Sequence, residues 1–97
     1  MKKDSLFYMA NLYPEVGRMF SYLDQNKIEA SENSQKRAIG IMDTILSFKD
    51  IKPAGREEWN TIRNFILGYR SLDLYERKIL EKYAEPFSFK FMNQYTS

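Results

Sequence analysis

The sequence predicts an all-α fold: an irregular bundle of four to five helices with an aromatic C-terminal strap or short helix, in one domain spanning residues 1–97. Three observations predict it. Apolar side chains recur at spacings of three and four along most of the chain, the pitch that places them on one face of a helix. Proline, glycine and short polar runs punctuate those stretches. The one run with a strand-like period of two, Phe87, Phe89 and Phe91, has no convincing second strand to take its backbone hydrogen bonds.

Residues 5–23 carry the stripe Leu6, Met9, Ala10, Tyr13, Val16, Phe20 and Leu23, with Asp4 or Ser5 to cap its start. Pro14 lies inside the stripe, has no N–H to donate, and crowds the preceding turn. The expectation is a short helix at 5–12, a kink or break, and a second helix that has Pro14 in its first turn and ends near Leu23. Residues 24–34 are polar apart from Ile28 and Ala30 and read as a connection, with Ser31 or Ser34 capping the next helix.

Residues 35–49 are the strongest helix. Ala38, Ile41, Met42, Ile45 and Phe48 share one stripe, and Ile39 and Leu46 widen it, so this helix should touch two or more neighbours. Gly40 inside it costs about 1 kcal/mol relative to alanine. Either a neighbouring backbone comes close there, or the position is weakly selected.

Pro53 and Gly55 make residues 50–55 a turn. Helical spacing resumes over 56–67 with Trp59, Ile62, Phe65 and Ile66. Glu57 and Glu58 then fall in the first turn, where the helix dipole favours negative charge. Gly68 should close this helix in a left-handed cap. Asp73 with Glu76 forms a capping-box pattern, and Ser71 is a competing cap. The last clear helix is expected over about 72–84, with Leu72, Tyr75, Ile79 and Tyr83 as its stripe. One long helix over 56–84 is the alternative, because the stripe runs on through Gly68; the break is preferred. Pro86 ends the last helix or opens a new turn. Beyond it Phe87 and Phe91 should pack on the bundle. Phe89 discriminates, being buried in an extended strap and more exposed in a helix.

Composition removes many chemistries. Hydrophobic residues at 43% and charged residues at 29% describe a globular chain rather than a disordered one. There is no histidine and no cysteine. Imidazole and thiolate ligands, nucleophiles and neutral-pH bases are therefore missing. The sequence has no GxxxxGK phosphate loop and no GxSxG elbow. Glu57 and Glu58 point in different directions on a helix, and Glu81 with Glu85 makes too thin a cation site. No enzyme activity, catalytic residue, metal or cofactor is expected.

The lack of cysteine fits a reducing compartment. No apolar run approaches the ~18 residues of a membrane span. The opening MKKDSLFYMANLY starts like a signal peptide, yet Asp4 and Asn11 interrupt it and no small-residue cleavage site comes after it. The expected location is cytoplasmic. Residues with AT-rich codons (Phe, Tyr, Met, Ile, Asn, Lys) far outnumber those with GC-rich codons, which suggests a low-GC microbe or its phage.

Two functional readings remain. Residues 1–50 carry seven basic and seven acidic side chains, so the net +2 lies wholly in residues 51–97, eight against six. Arg56, Arg63, Arg70 and Arg77 recur every seven residues there. A nucleic-acid-binding module built on a basic helical hairpin (residues 56–84) would use Arg63, Arg70, Arg77 and Lys78. Asp73, Glu76, Glu81 and Glu85 interleave with those cations, which favours local ion pairs on a solvated face instead. The preferred reading comes from the aromatic content of 15%, more ring surface than so small a core needs. A small regulatory or accessory protein is expected, acting by protein–protein interaction through an exposed aromatic and aliphatic surface, and a homodimer is expected. The contact candidates are Tyr69, Tyr75, Phe89 and Tyr95.

Overall fold

The computed structural model describes the backbone of residues 4–96 and the side chains of residues 4–86. The described residues are all-α, with no strand among them. Among them four helices occur in order: α1 (Ser5–Asp24), α2 (Ile28–Ser47), α3 (Pro53–Leu67) and α4 (Leu74–Thr96), with a 3-10 turn at Tyr69–Ser71 between the last two.

The expected break at Pro14 does not occur, and α1 runs through it. Leu12 and Val16 on either side of the proline are both fully buried. Burying such side chains contributes roughly 1.5–3 kcal/mol each, enough to offset the ~3 kcal/mol of an interior proline. Pro14 itself is exposed, so its ring takes no room in the core. Asp4 caps the start as expected, accepting from the Phe7 N–H at 3.0 Å.

The polar connection is far shorter than residues 24–34: only 25–27 separate α1 from α2. Asn26 takes a left-handed backbone at φ 61°. The Asn26 N–H donates to the Leu23 carbonyl and the Lys27 N–H to the Tyr22 carbonyl, at 3.0 and 2.8 Å. This is a Schellman closure with asparagine in the place usually held by glycine. Ser31 and Ser34 therefore lie inside α2 and are fully buried rather than capping it.

Further on, α3 starts at Pro53, a turn earlier than expected, with proline at the position where its missing N–H costs nothing. Glu57 and Glu58 consequently sit beyond its first turn. The break at Gly68 is real, but it is not left-handed: φ is −102° and ψ 26°. The capping box is present, and α4 then continues through Pro86 to Thr96. The backbone of residues 87–96 thus continues α4 instead of forming a separate strap or short helix. The expected burial of Phe87 and Phe91, and the test on Phe89, lie outside the described side chains.

The core joins Met9, Leu12, Val16, Met19 and Phe20 of α1 to Ala38, Met42 and Ile45 of α2. Trp59, Ile62 and Ile66 of α3, then Tyr69, Leu80 and Ala84, complete it. Three polar fastenings fix how the helices meet. Arg56 Nη2 donates to the Phe48 carbonyl at 2.7 Å, closing the end of α2. Gln35 Nε2 donates to the carbonyls of Ile66 and Leu67, both at 3.1 Å, closing the end of α3. The buried Glu15 carboxylate pairs with Arg18 and Arg37 at 3.2 and 2.8 Å. Around Gly40 no side chain and no other helix comes within 4 Å of where a Cβ would stand, so no neighbouring backbone approaches it.

Candidate interaction surface

The surface that stands out is built by the first turns of α4. Its start is locked by a reciprocal pair: the Glu76 N–H donates to Asp73 Oδ1 at 2.8 Å, and the Asp73 N–H donates to Glu76 Oε1 at 3.1 Å. The inner side packs on the bundle. Leu80 and Ala84 are fully buried. Arg77 reaches across to α1, with Nη1 2.7 Å from Asp24 Oδ1 and the guanidinium 4.8 Å from the centre of the Phe20 ring. Its Nε is buried without a hydrogen-bond partner, a cost that the ring contact partly offsets. Tyr83 sets its ring edge-on to Trp59 at 5.2 Å and donates its hydroxyl to Glu58 Oε2 at 2.9 Å. Burial above all, then the bond to Glu58 and that carboxylate's charge, push the Tyr83 hydroxyl up to about 12.

With that side fixed against the core, the other side must face water. It carries Leu74 and Tyr75, each 73% exposed, and Ile79, 42% exposed. Lys78 and Lys82 stand among them, both exposed. Asp73 is exposed but engaged in the cap; Glu76, Glu81 and Glu85 are half-buried. The stripe expected to face the core, Leu72, Tyr75, Ile79 and Tyr83, is therefore divided. Leu72 and Tyr83 pack on the core, whereas Tyr75 and Ile79 do not. The inner contacts fall to Leu80 and Ala84, which that stripe did not include.

Of the expected contact residues, Tyr75 is on the surface. Tyr69 is not: it is 2% exposed, with its hydroxyl 2.5 Å from Ser31 Oγ and its ring packed on Phe20. The break at Gly68 turns it inward as the lid of the core. Phe89 and Tyr95 lie outside the residues whose side chains are described. Leu74, Ile79 and Lys82 are additional members of the face. Their signal was available in the sequence, since α4 has apolar residues on two sides.

The residues of the nucleic-acid reading do not converge. Arg63 pairs with Asp43 at 2.9 Å, Arg70 lies 3.8 Å from Glu32, and Arg77 pairs with Asp24. Each arginine is turned to a different acid on α1 or α2, and Lys78 alone joins the outer face of α4. Among the described residues no group of three acidic side chains could hold a metal ion, and no helix is long and apolar enough to cross a membrane. No protein family, no curated protein and no solved structure matches this chain.

Proposed function

We propose that this chain is a small cytoplasmic regulatory or accessory protein that works by docking the outer face of α4 onto another protein. One observation carries the reading: Leu74 and Tyr75 are each 73% exposed on a helix whose opposite side already supplies the core. Fully burying side chains of this size contributes roughly 1.5–3 kcal/mol each. With Ile79, the face therefore withholds about 3–5 kcal/mol of burial that only a partner can realise. A rigid helix start, fixed by its capping box, loses little entropy when that partner arrives. A second copy of the chain and a different protein are both candidates for the occupant.

The test uses matched baits. Native protein and a Leu74→Ser/Tyr75→Ser variant, both shown to be folded by circular dichroism, are used to capture proteins from the source cell. Any protein that differs is then rebound in purified form. A partner held by the native chain and lost by the variant supports the reading. Identical capture by both baits contradicts it. Three of the four cations of the nucleic-acid reading are already opposed by carboxylates, which leaves that reading weaker. Steeply salt-dependent binding to mixed DNA or RNA would revive it.

A further inference from the structure

We infer that the outer face of α4 receives an acidic amphipathic helix from a different protein, whose aliphatic side chains cover Leu74, Tyr75 and Ile79 and whose carboxylates meet Lys78 and Lys82. This rests on the docking function proposed above and names its partner chemistry. The argument is charge complementarity on an apolar face. Between Leu74 and Pro86, Lys78 and Lys82 are the only exposed charged residues. They stand four residues apart, one turn or about 6 Å along the axis, between Leu74 on one side and Tyr75 and Ile79 on the other. An apolar face with two cations one turn apart matches a helix that alternates aliphatic residues with Asp or Glu at the same repeat.

Other occupants fit less well. A two-fold pairing of this face with itself brings lysines towards lysines in the centre of the contact, where like charges oppose association. Duplex nucleic acid satisfies the lysines but leaves Leu74 and Ile79 against a polar backbone. An anionic lipid surface answers both charge and apolarity, but two lysines supply little of the attraction that stable membrane binding needs.

The experiment measures fluorescence anisotropy of two synthetic helical peptides with identical leucine positions, one carrying glutamate and the other lysine beside them. Each is titrated with the full chain, with Lys78→Glu/Lys82→Glu and with Leu74→Ser/Tyr75→Ser. All substituted positions are on the surface, and folding is checked by circular dichroism. The native chain should bind the acidic peptide and not the basic one. Binding should weaken about tenfold in the charge-reversed variant, fall with added salt, and be lost in the serine variant. Equal affinity for the two peptides, no binding of either, or binding indifferent to Lys78→Glu/Lys82→Glu overturns the inference. So does a concentration-dependent dimer, or binding to phosphatidylserine vesicles, that Leu74→Ser/Tyr75→Ser abolishes. Equal binding of both peptides that the serine variant removes would leave the docking function standing and discard only its acidic occupant. Indifference of every variant to every probe would remove both.

Discussion

Removing the hydroxyl of Ser31 should destabilise the protein more than removing that of Tyr69, and removing both should cost less than the sum. Ser31 is fully buried; its Oγ donates to the Met19 carbonyl at 3.1 Å and lies 2.5 Å from Tyr69 Oη. The serine has one hydrogen, so the tyrosine is the donor between them. Tyr69→Phe removes one neutral bond and leaves Ser31 its bond to Met19, a loss of about 1 kcal/mol. Ser31→Ala leaves the Tyr69 hydroxyl without its acceptor in a site only 2% exposed. The desolvation penalty of that group then applies, about 2 kcal/mol. The double variant leaves no hydroxyl unpaired and should lose about 1.5 kcal/mol, giving a coupling of about 1.5 kcal/mol. The assay is urea denaturation monitored by fluorescence of Trp59, the only tryptophan, which is 3% exposed and reports on the core. In thermal melts a loss of 1 kcal/mol should appear as a drop of roughly 4–8 °C. Coupling below about 0.3 kcal/mol would refute the bond, and with it the fastening of Tyr69 to α2.

The helices themselves set three further outcomes. Gly40→Ala should stabilise the protein by about 1 kcal/mol in the same urea assay, because the added methyl meets nothing and the helix gains propensity; a destabilised variant would mean that the space is not open. Pro14→Ala should stabilise by about 2 kcal/mol, the helical penalty of proline less the entropy it removes from the unfolded chain; no change would mean that α1 tolerates the proline without strain. Tyr83 holds its proton more tightly in the folded state, about 12 against an ordinary 10.0. Its contribution to stability is complete below pH 10 and is lost as pH rises through 12. Tyr83→Phe should flatten that loss and remove a tyrosinate signal near pH 12 from a spectrophotometric titration; an unchanged titration would contradict the burial that raises it.

What the sequence revealed was local, and what it hid was tertiary. The capping box at Asp73 and Glu76 was legible because donors and acceptors three residues apart meet in any helix start. The break at Gly68 was legible because glycine commonly ends a helix, although its backbone here is not left-handed. Pro14 misled because propensity registers the missing N–H and not the burial of Leu12 and Val16 across it. Ser31 and Ser34 read as caps because serine is usually a capping residue. Here both are fully buried inside α2, and the Ser31 hydroxyl bonds to the Met19 carbonyl of α1 and to Tyr69. The aromatic surplus pointed to a surface. It could not say which rings stay outside, since Tyr69 and Tyr75 differ only in which side of the turn and helix faces the core. Both apolar sides of α4 were present in the sequence, and the burial of Leu80 and Ala84 decides which of them faces out.

The most direct measurement is an amide chemical-shift map of isotopically labelled protein titrated with the acidic amphipathic peptide. Shifts concentrated between Leu74 and Lys82, saturating together, are the result this account predicts. Shifts confined to α1, α2 or α3 while those amides stay still would contradict it.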